Sequence, residues 1–134
     1  MLGKIEHIGI AVKDLEAANE LYGSLLGVIP YKQENVPSEG VTTSFFQTGD
    51  SKVELLMATD PNSPIAKFIE KRGEGLHHLA FAVEDIDQEV QRLVKAGFQV
   101  LNEQPKLGAD NKRIVFLHPK GAHGVLVELC QEIS

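Results

Sequence analysis

Four residues in this chain have the types and the spacing to hold a metal ion: His7, Glu54, His78 and Glu128. The interval from His7 to Glu54 nearly equals that from His78 to Glu128, so one His–Glu pair occurs twice. The duplication extends into the flanking sequence. Ile8, Gly9, Ile10, Ala11, Val12, Asp14 and Leu15 align with Leu79, Ala80, Phe81, Ala82, Val83, Asp85 and Ile86. Val53-Glu54-Leu55 matches Val127-Glu128-Leu129 at an offset three residues longer. Self-similarity at a fixed offset is the mark of a repeat architecture.

Read with the period of two of a β-strand, each histidine-bearing copy has two distinct faces. Ile8, Ile10 and Val12, like Leu79, Phe81 and Val83, are bulky and belong to a core. The opposite face carries His7, Gly9 and Ala11, or His78, Ala80 and Ala82, so each histidine has only small neighbours. Small neighbours leave room beside an imidazole for a ligand. A lone histidine in such a place is more often satisfied by a backbone carbonyl, but two at matching positions point to a shared metal site. Glu128 stands within the apolar run Val125–Cys130, where a carboxylate must face water or be paired, because burying an unpaired charge is costly. Two imidazoles and two carboxylates suit Co²⁺, Mn²⁺, Ni²⁺ or Zn²⁺. The open alternative is that both glutamates lie on the solvated face of an antiparallel sheet. His77 falls on the bulky face and reads as structural. His118 and His123 have no repeat partners and read as strand-end or loop residues.

The elements that must position these groups recur in the same order. A strand over 5–12 is followed by a helix capped by Asp14, with Leu15, Ala18, Tyr22 and Leu25 at helical spacing and Gly27 at its end. Strands are expected over 28–34, 41–47 and 52–57, with a loop over 35–40 and a hairpin connection at 48–51. A short helix over 64–72 links the halves, with Pro64 at its first residue. The second half repeats the pattern: a strand over 76–83, a helix over 86–96 closed by Gly97, and a strand over 98–101. A long loop over 102–112 then leads to strands over 113–118 and 124–130. The fold class is therefore α+β, two β-α-β-β-β modules at about 3–58 and 74–132 joined by a helix at about 63–72. They form one domain, 1–134, since neither half alone would bury its sheet face well.

Bulk properties narrow the function classes. The chain has 134 residues, a net charge of −6, 43% hydrophobic and 24% charged residues, the composition of an ordinary globular domain. An acidic balance argues against a nucleic-acid partner but leaves room for a small anion at a local basic cluster. No apolar run is long enough to span a membrane, and no signal peptide precedes the first strand. One cysteine, Cys130, cannot form an internal disulfide, which suits the cytoplasm.

Beyond these readings the chain resembles the vicinal oxygen chelate superfamily (glyoxalase, bleomycin resistance and dioxygenase proteins), and within it the methylmalonyl-CoA epimerases. The resemblance covers essentially the whole chain. It is carried by Ser63-Pro64-Ile65-Ala66-Lys67-Phe68, Gly75-Leu76-His77-His78, Pro105-Lys106-Leu107-Gly108, Phe116-Leu117-His118-Pro119-Lys120 and Gly124-Val125-Leu126-Val127-Glu128-Leu129. It implies a curled mixed sheet around one divalent ion held by His7, Glu54, His78 and Glu128, Co²⁺ first and Mn²⁺, Ni²⁺ or Zn²⁺ otherwise. It implies interconversion of (2R)- and (2S)-methylmalonyl-CoA by α-proton abstraction through an enolate, with Glu128 as the first candidate base. Some members place a second glutamate where alignment through Glu39-Gly40-Val41 puts Thr43 here, which leaves Glu54 or a water as the partner acid. Lys106, Lys112, Arg113 and Lys120 are the candidate contacts for the polyanionic CoA. A homodimer is expected, with Leu2, Ile29 and Phe45 as apolar surface beyond one small core. A glyoxalase I-type lyase and a metal-free small-molecule-binding protein of the same fold are the competing readings.

Overall fold

The computed structural model describes residues 1–133 and divides into two compact units. Ser134, the last residue of the expected domain, lies outside the described residues. The first unit, residues 7–77, holds most of β1 (Ile5–Ala11), then α1 (Leu15–Leu26), β2 (Lys32–Val36), β3 (Val41–Thr48), β4 (Ser51–Ala58) and α2 (Pro64–Arg72). Its strands run in the order β2-β3-β4-β1; β1 and β4 are parallel, and the other neighbours are antiparallel. The second unit contains residues 1–6 and the chain from His78 onward. It carries most of β5 (Gly75–Ala82), α3 (Ile86–Lys95), a two-residue β6 (Lys106–Leu107), β7 (Lys112–Leu117) and β8 (Val127–Glu132). Here β5 and β8 are parallel, and β8, β7 and β6 are antiparallel neighbours. The expected β-α-β-β-β order is thus present twice, with one parallel pair in each copy.

Local chemistry explains the boundaries. Asp14 and Asp85 cap α1 and α3 by accepting from the backbone N–H of Ala17 and Gln88, so a free donor of each first turn is satisfied. Ser63 does the same for α2, whose first residue is Pro64. At Gly27 the chain leaves α1 with φ 73°, a left-handed conformation that favours glycine. One face of each sheet meets its helix. Ile10, Val12, Phe46, Val53 and Leu55 pack with Leu15 of α1, and Val83, Val115, Leu117 and Leu129 pack with Ile86 and Leu93 of α3. Phe46 is fully buried in the first of these clusters. Phe46→Ala should therefore lower unfolding stability by about 3–5 kcal/mol, read from the urea midpoint.

Several expected boundaries move. The strand expected over 28–34 begins only at Lys32 and runs to Val36; Pro30 has no N–H for a ladder, and Tyr31 N–H donates to Phe45 at 2.9 Å just before pairing begins. The expected loop at 35–40 shrinks to a 3₁₀ turn, Pro37–Glu39. The strand expected over 98–101 is reduced to a single bridge, Val100 to Leu117. Backbone bonds join Leu101 N–H to Phe116 O and His118 N–H to Gln99 O, and just beyond them the Asn102 side chain takes over, donating to Ile114 O and accepting from Phe116 N–H. The last strand begins at Val127 rather than 124, after a 3₁₀ turn at Pro119–Ala122. Of the three residues expected to offer apolar surface, Ile29 is 84% exposed but Phe45 is fully buried. Leu2 packs against the second core cluster.

Residues 1–6 are bound firmly within the second unit. Gly3 N–H donates to Ala82 O at 2.8 Å, and Ala82 N–H donates to Lys4 O at 2.9 Å. A Cβ at Gly3 would meet Ala82 O at 3.0 Å, so the close approach needs glycine. The N-terminal ammonium lies 2.7 Å from the buried carboxylate of Glu89, and Arg92 lies 3.0 Å from its other oxygen. The ammonium first, and Arg92 with it, hold the Glu89 carboxyl below the usual carboxylate range against the opposing cost of burial. A carboxyl depressed on folding stabilises above its unfolded pKa, and that stability is lost as pH falls through the folded value. Glu89→Gln should thus cost about 1 kcal/mol at pH 7. The difference from the parent should shrink as urea unfolding is repeated towards pH 3. Among the described residues no helix is long and apolar enough to cross a membrane.

Candidate active site

The two His–Glu pairs are built by the same device. In the first unit Glu54 of β4 stands in register with Gly9 of β1, and His7 lies two residues before that glycine. In the second unit Glu128 of β8 stands in register with Ala80 of β5, and His78 lies two residues before that alanine. The small residue opposite each glutamate lets the imidazole lean across. His7 Nδ1 lies 3.1 Å from Glu54 Oε2, and His78 Nε2 lies 3.3 Å from Glu128 Oε1. All four side chains are buried. The structure therefore brings His7 to Glu54 and His78 to Glu128 as the repeat predicts, and neither glutamate is on a solvated face.

Each pair has an aromatic wall that the sequence did not mark. Phe45 of β3 stands in register with Glu54, and Phe116 of β7 stands in register with Glu128. The Phe116 ring meets His78 edge-on, at 6.0 Å between centroids. Lys32 places its ammonium 5.6 Å over the Phe45 ring, and Lys106 places its own 5.9 Å over Phe116. Period-two alternation shows that Phe45 and Phe116 are strand residues, but only the strand register sets them opposite the glutamates.

The other candidates are spread more widely. Thr43 shares the Glu54 face, two residues from Phe45 on the same strand. It is fully buried, and its Oγ1 has no hydrogen-bond partner among the described residues. A hydroxyl cannot serve as a carboxylate base in its place. Of the basic cluster, Lys106 and Lys120 are exposed, Lys112 is buried, and Arg113 is 3.3 Å from Asp87. His77 is structural as expected: it packs edge-on against Phe68 of α2 at 5.0 Å. Loss of hydration pushes its pKa down to about 4, so it is neutral at physiological pH. His118 is a turn residue, its Nδ1 accepting from Lys120 N–H, and His123 has a left-handed backbone after that turn.

Comparison with known proteins gives the family. The family model for the glyoxalase/bleomycin resistance protein/dioxygenase superfamily matches residues 6–116. The chain belongs to that superfamily. Its relatives there include the ethylmalonyl-CoA/methylmalonyl-CoA epimerase of Cereibacter sphaeroides, 44% identical over 98% of this chain and 99% of the relative. The mitochondrial methylmalonyl-CoA epimerase of Homo sapiens is 41% identical over 97% of this chain and 74% of the relative. Among solved structures, a variant of Streptomyces coelicolor methylmalonyl-CoA epimerase in complex with 2-nitronate-propionyl-CoA superposes with a TM-score of 0.94. It is 37% identical and covers 100% of this chain and 97% of its own. The glyoxalase-like fold expected of two β-α-β-β-β modules is the fold of these superfamily members.

Proposed function

We propose that this protein is a methylmalonyl-CoA epimerase, interconverting (2R)- and (2S)-methylmalonyl-CoA. The observation that carries this reading is similarity to epimerases along nearly the whole chain, in a chain that keeps both buried His–Glu pairs. His7, Glu54, His78 and Glu128 together hold one divalent cation in this reading. The donor chemistry fits: each unit buries an imidazole nitrogen beside a carboxylate oxygen, and burial of those carboxylates calls for a counter-charge. Co²⁺ is the first choice, with Mn²⁺, Ni²⁺ or Zn²⁺ as alternatives. When bound, the ion would supply Lewis-acid stabilisation of charge developing on the thioester oxygen.

The chain's own residues do the proton work. The α-hydrogen lies between a thioester and a carboxylate, and a positioned carboxylate removes it. Glu128 is the base, and Glu54, on the matched strand, returns a proton to the opposite face. Holding the ion would lower the basicity of both carboxylates. Of the four candidates for the CoA phosphates, Lys106 and Lys120 are exposed and make contact directly, and Arg113 does so after release from its partly exposed pair with Asp87; Lys112 is buried and would have to turn outward to join them. A cytoplasmic homodimer completes the proposal. Ile29, with exposed Leu21 and Leu25 of α1, offers the apolar surface such a dimer would cover.

The test is α-proton exchange of methylmalonyl-CoA in D₂O, followed by NMR, with and without chelator. Exchange and epimerisation should be fast in the metal-loaded protein, fall on exhaustive chelation, and return when metal is restored. Undiminished turnover after chelation would remove the metal from the proposal, and no exchange under any metal would remove the activity.

A further inference from the structure

Thr43 is the buried hydroxyl of the first unit's sheet that its surroundings do not satisfy. It stands on β3 between Glu34 of β2 and Leu56 of β4, and the ladders on both sides engage the neighbouring backbone groups with one another. The side chain is fully buried, and its Oγ1 has no hydrogen-bond partner among the described residues. A hydroxyl left in that condition carries a desolvation cost that a valine of the same outline would avoid. The second unit shows that the sheet itself does not call for a hydroxyl there. Phe116 and Glu128 match Phe45 and Glu54, so the counterpart of Thr43, two residues before the ring, is Ile114. Ile114 is buried against Ala80 and Cys130. The hydroxyl therefore belongs to the Glu54 side alone.

We propose that Thr43 is a positioning residue that holds an ordered water against the Glu54 carboxylate. Glu54 is in register with Phe45, two residues on from Thr43, so Thr43 and Glu54 are diagonal neighbours on one face. Such neighbours lie about 7–8 Å apart along the backbone, and the Glu54 carboxylate leans towards His7 at 3.1 Å. One water, making two bonds of about 2.8 Å, spans a gap of that order. Buried waters characteristically satisfy polar groups of this kind, given two or more partners. The consequence for catalysis rests on the epimerase reading above, in which Glu54 returns a proton to the α-carbon. Rotation of a glutamate end group is only loosely restricted. A water anchored on Thr43, added to the contact with His7, fixes the plane of the carboxyl group and so aims its proton at the far face of the enolate.

The test compares Thr43→Val, which deletes the hydroxyl and keeps the branched shape, with Thr43→Ser, which keeps the hydroxyl. Thr42→Val makes the same change on the opposite face of β3 and is the control. The first readout needs no substrate. Thr43→Val should lower the urea midpoint of the metal-loaded protein, because a water-paired hydroxyl is lost, whereas removal of an unpaired one would leave the midpoint unchanged or raise it. NMR of the parent should show a long-lived water in contact with the Thr43 methyl group. The second readout is the ratio of epimerisation to α-proton exchange in recovered substrate, in D₂O, from the epimer whose α-hydrogen faces Glu128. Thr43→Val should lower that ratio about tenfold, the worth of one hydrogen bond to a charged group. Thr43→Ser and Thr42→Val should leave it close to that of the parent. Loss of folded or metal-loaded protein slows both processes alike and does not move the ratio. An unchanged or raised midpoint, an unmoved ratio, or the same fall in Thr42→Val would overturn the assignment. If the parent neither exchanges nor epimerises, the epimerase reading fails, and the midpoint and the water contact still decide whether Thr43 holds a water.

Discussion

His78→Ala is expected to lose bound metal and epimerase activity together. The imidazole is one of four proposed donors, and alanine offers nothing in its place. Lewis-acid stabilisation of an enolate is worth several kcal/mol, and each ~1.4 kcal/mol is a factor of ten in rate. The loss should therefore reach about three orders of magnitude or more. Metal content by elemental analysis should fall well below one ion per chain after gel filtration. The Phe116 ring borders the cavity that the substitution leaves, so some thermal destabilisation should accompany the change. A variant that keeps its far-ultraviolet circular dichroism and still loses metal locates the fault in the site. Metal retention with normal turnover would remove His78 from the ligand set.

Glu54→Gln should separate two properties that His78→Ala removes together. Glutamine keeps a neutral oxygen for the ion but cannot take or give the proton. Metal content should stay near that of the parent, while epimerisation falls by about 10²–10⁴. Exchange of the α-proton into D₂O should survive from one substrate epimer, because Glu128 can remove and return a proton on its own side. Glu128→Gln should show the converse, with exchange from that epimer lost. Full epimerase turnover by Glu54→Gln would exclude Glu54 and point to a water or another side chain as the second acid.

The sequence exposed the site because the site is duplicated. Two histidines with small neighbours, each matched to a glutamate at a nearly equal interval, could be paired without knowing any strand boundary. The three helices were legible for a different reason: their starts are written locally in Asp14, Ser63 and Asp85. Strand register is not local. A shift of one residue moves every side chain to the opposite face, so the rings of Phe45 and Phe116 and the ammonium of Lys32 could not be placed beside the glutamates. The segment at 98–101 misled for a related reason. Its apolar residues suggest a full strand, but the backbone bonds stop at Gln99 and Leu101, and the side chain of Asn102 supplies the next ones. Nor does any sequence pattern tell which imidazole nitrogen faces its glutamate, and the two pairs differ: Nδ1 in His7 and Nε2 in His78.

The attachment of residues 1–6 to Ala82 and Glu89 bears on how the chain is made. These six residues leave the ribosome some eighty positions ahead of their partners. At about 5–20 residues per second, the segment waits several seconds with its hydrogen-bonding groups in water. Closing so long a loop has an entropic cost and slows folding, so these contacts should be among the last to form. It follows that cutting the gene between its two repeats would not yield two self-sufficient pieces. The leading fragment would carry an N-terminal tail without its partners, and the trailing fragment would leave the backbone of Ala82 unsatisfied. Co-expressed, the two pieces should complement each other; apart, each should aggregate through its unfinished edge.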